Sequence, residues 1–374
     1  MIGTAKQLMT LRLSPSPFGP SPPYDQAPNW SPTKRRSQHD ALLGKTPTSR
    51  WTSERSHTVP LRKRADEPLA FLAASQIKPV MNIGRLLTKR YPSRNAAPIK
   101  SDAVVRPDFL CVGAQKAGTS WLYHQLNSHP DFWMPPIKEL GYFDQMSHSR
   151  HPDSWRKAPS RDKRDHFFFA AMESLCSTPF IDRERYGRLF APKGELLSGD
   201  VTPVYSIVPE EMIVAIMDYF PALKIIFIAR DPVERAWSAL SMGVRNGGLS
   251  PFDFRNPDVV IRHLFHPDIL CRSFPSFTVA RWRRHVPAEQ MRIYFYDDLM
   301  TDSARLRAEI ILFLGGDPKK ARARAGQKIM QDTNKPPLTP EVRNHLGRFF
   351  AHELRTCAIE LAGAAVEWPS RYGL

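Results

Sequence analysis

From residue 106 onward, short apolar runs alternate with amphipathic stretches of helical spacing. The first run, at 109–112, ends in Gly113 and is followed by a small-residue loop and a predicted helix at 119–126. The same succession of strand and helix recurs along the chain. The further predicted strands and helices lie at 223–228, 233–242, 291–296, 303–314 and about 339–362. These repeated units predict an α/β fold, a three-layer α/β/α arrangement around a central parallel sheet, with its ligand at the carboxyl ends of the strands.

A further helix is predicted before the strand at 223–228, and one stretch shows no regular pattern. Pro209 and the two acidic residues after it indicate the start of another helix, whose apolar residues fall at helical spacing. Residues 145–197 show no regular spacing and are rich in arginine, histidine and phenylalanine. We therefore expect this part of the chain to be an irregular insertion that faces the substrate.

The first hundred residues differ from the rest in charge and composition. They carry 17 Lys and Arg against 5 Asp and Glu, whereas the whole chain of 374 residues carries 53 against 37. They also hold 13 of the 35 prolines. Because proline removes backbone donors and large apolar clusters are few, little of this segment can pack. We expect residues 1–103 to be mostly disordered, with a short helix around 66–91, and residues 104–374 to form the folded domain.

The basic N-terminal segment allows several interpretations. Clusters such as Lys34-Arg35-Arg36 can neutralise phosphates, which would make the chain a basic nucleic-acid-binding protein. An Arg- and Ser-rich, acid-poor composition is also typical of a transit leader. A solvated tail, or an upstream start codon, explains the same composition without a function. We adopt this last interpretation and expect no specific nucleic-acid partner.

The remaining composition narrows the class of protein further. The four cysteines are widely spaced, with no CxxC pair or Cys/His cluster, so neither a disulfide framework nor a zinc site is predicted, and no metal is expected. No apolar run reaches the roughly 18 residues that a membrane span needs, and no apolar signal region follows Met1. We expect a soluble, cytoplasmic protein with reduced thiols.

The stretch from Gly113 to Ser120 has the composition of a phosphate-binding loop. Two glycines lie five residues apart and two hydroxyl residues follow, so N–H groups at the start of the next helix can surround an anion. A nucleoside-triphosphatase loop has lysine directly after the second glycine, whereas here Thr119 holds that place and the lysine is Lys116. The shift argues against ATP–Mg chemistry, and a P-loop nucleotide kinase or triphosphatase remains as the alternative enzyme.

Two motifs resemble those of the sulfotransferase family, in particular its carbohydrate and bacterial-type members. Residues 115–122, Gln-Lys-Ala-Gly-Thr-Ser-Trp-Leu, resemble the family's 5′-phosphosulfate loop, and residues 228–238, which contain Arg-Asp-Pro and then a serine, resemble its 3′-phosphate motif. The resemblance covers about residue 106 to the end of the sequence. It implies 3′-phosphoadenosine 5′-phosphosulfate as the co-substrate and transfer of a sulfuryl group to a hydroxyl, or less readily an amine.

The resemblance also implies roles for particular residues. Lys116 is expected to stabilise the departing 5′-phosphate as negative charge builds on it. Trp121 packs either near the adenine or against the sheet. Either Lys328 or Lys335 would belong to a basic loop that the family closes over the donor. The residues expected to bind the donor are Lys116, Gly118, Thr119, Ser120, Trp121, Arg230 and Ser238.

Two further stretches resemble the carbohydrate branch of the family on its acceptor side. Residues 138–144 are similar to the stretch whose glutamate is the general base, so Glu139 is the candidate base, the alternative being a salt-bridged loop carboxylate. Asp200 occupies a place that implies a possible acceptor contact, but Val201 stands where heparan-type members have lysine. His129 is expected to be solvated. Together these stretches imply a sulfate donor and a hydroxyl-bearing acceptor, a saccharide or glycoconjugate.

Overall fold

Four short parallel strands form the centre of the molecule. The computed structural model describes residues 106–144, 155–176, 181–326 and 335–374. All neighbouring strands are parallel, and their order across the sheet is β2-β1-β3-β4. The strands are β1 (Phe109–Gly113), β2 (Gly199–Val201), β3 (Lys224–Ala229) and β4 (Met291–Phe295). The predicted α/β class with a central parallel sheet is confirmed.

Helices cover both sides of this sheet, and for that reason the strands are almost continuously apolar. All five residues of β1 are buried. The helices are α1 (Thr119–Asn127), α2 (Lys163–Cys176), α3 (Arg183–Arg188), α4 (Glu210–Tyr219), α5 (Pro232–Arg245), α6 (Pro257–Leu264), α7 (Pro267–Leu270), α8 (Pro275–Arg283), α9 (Tyr296–Thr301), α10 (Ser303–Leu314), α11 (Pro340–Phe349) and α12 (Ala351–Glu360). In the residues that the structure describes, no helix is long and apolar enough to cross a lipid bilayer.

The predicted helices after β1, β3 and β4 are confirmed as α1, α5 and α10, and the one after Pro209 as α4. The single helix predicted at about 339–362 is wrong. The chain forms α11 and α12 there, separated at Phe350, which is 1% exposed and packs edge-on against Phe274. Phe350 has φ of −92° and ψ of 11°, outside the α-helical range, and this break in the backbone accompanies the burial of its ring.

The irregular structure predicted for 145–197 is also wrong where the structure describes it. α2 and α3 lie in this stretch. The buried residues of α2 include Phe168, Met172 and Leu175, which are spaced four and three apart and so lie on one helix face. That spacing was present in the sequence, but the charged residues around it concealed it. Other sequence-based predictions fall outside the described residues: the helix around 66–91, the boundary near 103 and Lys328.

Candidate active site

The loop between β1 and α1 has the backbone of an anion cradle. Lys116 and Gly118 have φ of 71° and 91°, in the left-handed region. A Cβ on Gly118 would lie 2.5 Å from Cδ2 of Leu299 in α9, so conformation and space both require glycine there. The structure describes no side chain that caps the N-terminus of α1. The first N–H groups of this helix therefore remain available to an anion.

Arg230 comes directly after β3 and joins this loop. Its Nη1 donates a hydrogen bond of 2.5 Å to the carbonyl oxygen of Lys116. Its guanidinium lies 4.1 Å from the ring centroid of Tyr296, the residue that follows β4, and 3.8 Å from a carboxylate oxygen of Glu234. The side chain is 11% exposed, and its buried Nε has no hydrogen-bond partner among the described residues. Ser238, 8% exposed, lies on the helix that follows.

Lys116 and Trp121 lie on the two sides of the loop's second glycine. The Nζ of Lys116 is 3.7 Å from the sulfur of Met242 in α5. Trp121 is 5% exposed, and its indole N–H donates 2.7 Å to the carbonyl oxygen of Ala325. Trp121 therefore packs in the buried core. Its contact with an adenine stays a prediction.

Arg235, which the sequence analysis did not single out, is a buried guanidinium behind the loop. It is 1% exposed and donates to Gln115, to the carbonyl oxygen of Ile269 at 2.5 Å and to Oγ of Ser273 at 2.7 Å. All these acceptors are uncharged. Burial, followed by the nearby Arg272 and Arg230, lowers the pKa of Arg235 to about 9. The residue connects the loop between β1 and α1 to α7 and places a buried positive charge next to that loop.

Asp231 fixes the start of α5 and binds a distant part of the chain. Its Oδ1 accepts from the backbone N–H of Val233, and its Oδ2 accepts from the hydroxyl of Tyr372 at 2.9 Å. Arg371 lies 3.6 Å from the same carboxylate. Burial raises the pKa of Asp231 to about 6. An Asp before proline indicates a helix cap, but nothing in the sequence indicated the contact with residues 371 and 372.

Glu139 lies in a separate loop, and the backbone of this loop is hydrogen-bonded to the buried Asp200. Glu139 has φ of 65°, its side chain is 51% exposed, and it forms an ion pair with Lys138. Asp200 is 1% exposed and accepts from the hydroxyls of Thr202 and Tyr205 at 2.6 and 2.8 Å. It also accepts from the backbone N–H of Leu140 at 3.4 Å. The structure thus places Asp200 in the buried hydrogen-bond network beneath the Glu139 loop, and its possible contact with a substrate stays a prediction.

Two basic or titratable residues named from the sequence are also placed. Lys335 lies 3.8 Å from Glu234, beside Arg230. The expectation that His129 is solvated is wrong, because it is 2% exposed and its Nε2 lies 3.0 Å from the carbonyl oxygen of Asp317. No group of three His, Cys, Asp or Glu side chains in the described ranges is arranged to hold a metal ion.

The buried Asp200 carboxyl gives a testable pH dependence. Burial raises its pKa from 3.8 to about 6, although the Thr202 and Tyr205 hydroxyls oppose this. The native state therefore holds this proton more tightly than the unfolded chain does, so stability is lost as pH rises from about 4 to about 6. Between about pH 4 and pH 7, the free energy of unfolding of the wild type should fall by about 1–3 kcal/mol relative to that of Asp200→Asn. Urea unfolding measures this difference.

A second buried carboxylate provides the control for that measurement. Burial acts to raise the pKa of Asp165, but hydrogen bonds from Arg161 outweigh it and hold the pKa below its usual value. Its stabilisation is lost only as pH falls below about 4. The difference between wild type and Asp165→Asn should stay constant over the same range. A constant difference for Asp200→Asn as well would contradict the prediction.

Comparison with known proteins gives one family. A profile of the Sulfotransferase family matches residues 107–317, more than half of the chain. The solved sulfotransferase of Alicyclobacillus acidocaldarius is 24% identical, with a TM-score of 0.51, over 71% of this chain and 99% of that one. The sulfotransferase domain from the curacin biosynthetic pathway is 14% identical, with a TM-score of 0.41, over 66% of this chain and 97% of that one.

A further solved structure, mouse sulfotransferase SULT7A1 complexed with PAP, is 15% identical, with a TM-score of 0.40, over 68% of this chain and 87% of that one. A search among curated protein sequences gives no significant match. At these levels of identity the first solved structure shows a shared fold. The family profile covers more than half of the chain, and it therefore shows more than a shared fold.

Proposed function

The chain belongs to the sulfotransferase family, and from that premise we propose that it transfers a sulfuryl group from 3′-phosphoadenosine 5′-phosphosulfate to a hydroxyl of a saccharide or glycoconjugate. The observation that carries the proposal is the hydrogen bond from Arg230 to the carbonyl oxygen of Lys116. It joins the two donor motifs at the carboxyl ends of β1 and β3, where parallel sheets present their ligand contacts.

The residues present fit a nucleotide that carries phosphates on both the 3′ and the 5′ position of its ribose. The uncapped N-terminus of α1 and the hydroxyls of Thr119 and Ser120 suit the 5′-phosphate. The buried Nε of Arg230 still lacks an acceptor among the described residues, and Ser238 lies two helical turns further on. Arg230 and Ser238 would therefore bind the 3′-phosphate. Lys335, which lies 3.8 Å from Glu234, is the lysine that we assign to the basic loop over the donor.

The reaction asks the protein mainly for positioning and charge. The bound donor supplies the sulfuryl group. Lys116 would stabilise the charge that builds on the 5′-phosphate oxygen as the sulfur–oxygen bond breaks. Glu139, half-exposed on its rigidly held loop, would take the proton from the acceptor hydroxyl. The saccharide class of acceptor rests on the resemblance of residues 138–144 to the carbohydrate branch.

The alternatives have less support. In a nucleotide kinase or triphosphatase the lysine would follow the second glycine, where this chain has Thr119. The family and the solved structures that match are sulfotransferases. Donor binding in excess chelator separates the two enzymes, because we expect binding here without added metal and a kinase would lose it. A nucleic-acid function would depend on the N-terminal segment alone.

Arg230→Ala tests the donor. A charge-assisted contact is worth about 1.5–3 kcal/mol, so its loss should weaken binding of adenosine 3′,5′-bisphosphate about tenfold or more. Binding of adenosine 5′-monophosphate, which has no 3′ group, should change far less. Calorimetry with both ligands measures this, with Arg305→Ala on the exposed side of α10 as the control. Equal losses for both ligands would mean that Arg230 does not bind the 3′-phosphate.

The acceptor class needs a separate experiment. The protein is incubated with sulfur-labelled donor and a panel of saccharides, phenols and amines, and each product is identified by its mass. We expect label on saccharide hydroxyls. Label on phenols alone would contradict the saccharide acceptor and leave the donor assignment intact.

A further inference from the structure

One carboxylate, that of Glu234, is shared by three cations at the second donor motif. Arg343 of α11 lies 3.2 Å from its Oε1, and Lys335 and Arg230 each lie 3.8 Å from its Oε2. The three cations come from three different parts of the chain. Glu234 itself is in the first turn of α5 and its side chain is 27% exposed.

Glu234 is an acidic partner of Arg230, whose other described contacts are with uncharged groups. The guanidinium is fixed by the carbonyl oxygen of Lys116 and by the ring of Tyr296. Arg343 is oriented in turn by Tyr372, whose ring centroid lies 5.8 Å from its guanidinium carbon. An anion that approaches Arg230 therefore meets a carboxylate already within ion-pair distance of the same guanidinium.

We propose that Glu234 is a built-in competitor of the 3′-phosphate, which lowers the affinity for the bisphosphate nucleotide and so sets how readily it leaves. This inference rests on the proposed function. A phosphate dianion beside a carboxylate meets like-charge repulsion, which weakens binding wherever the two share a cation. Arg343 and Lys335 reduce that repulsion because they neutralise part of the carboxylate charge. Glu234 is thus a specificity-determining residue that lowers the affinity of the site for the 3′-phosphate.

Glu234→Gln removes the charge and keeps the shape. Its affinity for adenosine 3′,5′-bisphosphate should rise about fivefold or more, on the scale of partly exposed ion pairs acting on a dianion. Affinity for adenosine 5′-monophosphate should stay the same. The gain should shrink in high salt, because partly exposed charges are screened. Glu309→Gln, which breaks another (i,i+4) pair with arginine at 3.0 Å, is the matched control and should change neither affinity.

The outcomes separate this inference from the proposed function. Unchanged or weaker binding of the bisphosphate by Glu234→Gln would overturn the inference. So would an equal gain for both nucleotides, or a gain that salt does not reduce. The proposed function fails instead if the wild type binds the bisphosphate no more tightly than the monophosphate and Arg230→Ala changes neither affinity.

A double-mutant cycle tests the part played by Arg343. If Arg343 acts by neutralising Glu234, Arg343→Met should weaken bisphosphate binding in the wild type and do so much less in the Glu234→Gln background. A loss of the same size in both backgrounds would overturn this part, because Arg343 would then act on the nucleotide without Glu234. Thermal unfolding of each variant checks that the fold is intact.

Discussion

Glu139→Gln should lower the turnover number by about 10²- to 10⁴-fold, the usual contribution of general acid–base catalysis. The amide has the shape of the carboxylate but cannot take the acceptor's proton. Donor affinity should barely change, because Glu139 is assigned to the acceptor's proton and its described ion pair is with Lys138. Initial rates with the best acceptor, and calorimetry with the bisphosphate nucleotide, measure the two quantities separately.

Glu184→Gln is the control for that substitution. Glu184 is 63% exposed and paired with Arg188, as Glu139 is half-exposed and paired with Lys138. Its loss should leave turnover unchanged. Near-normal turnover in Glu139→Gln would mean that Glu139 is only the salt-bridged loop carboxylate. Glu139→Asp, which keeps the base but shortens it, should retain part of the activity.

Lys116→Met should lower the turnover number by about 10²- to 10³-fold, as the loss of one preorganised donor to a developing oxyanion does elsewhere. Methionine is unbranched and close to lysine in length but carries no charge, and it would occupy the same backbone at φ of 71°, so the comparison isolates the charge. The effect should fall on turnover more than on bisphosphate affinity, because the charge on the leaving phosphate is greatest in the transition state.

Lys319→Met serves as the matched substitution at an exposed lysine. It should leave both turnover and affinity as they are. A Lys116→Met enzyme that loses affinity but keeps its turnover would assign Lys116 to ground-state binding only. Lys116→Arg should recover part of the turnover, since it restores the charge with a different geometry.

The fold was predictable where one stretch of sequence determines its own structure. β1, its glycine loop and α1 are contiguous, so the apolar run, the two glycines and the helical spacing suffice. β2 was not predicted because its three residues include the charged Asp200, whose burial depends on hydroxyls brought in from Tyr186 and Tyr205. A carboxylate in a strand becomes favourable only when those partners are in place.

The candidate site was predictable in the same partial way. Lys116, Gly118 and Arg230 stand in local motifs, and the structure brings Lys116 and Arg230 into contact. Arg235 and Tyr372 were not predicted, because their roles come from partners far away in sequence. A single sequence shows that Arg235 is charged. It does not show that the charge is buried against uncharged acceptors.

The contact between Asp231 and Tyr372 has a consequence for how the protein is made. The two residues are 141 positions apart, and Arg230 and Lys116 are 114 apart. Contacts this distant form only after the intervening chain has been synthesised and has paid its loop-closure entropy. The cap at Oδ1 of Asp231 is local, whereas the contact at its Oδ2 forms only after residues 371 and 372 have emerged from the ribosome. Until that contact forms, the buried Oδ2 of Asp231 lacks the hydroxyl that compensates for its burial, so this part of the fold is completed late in folding.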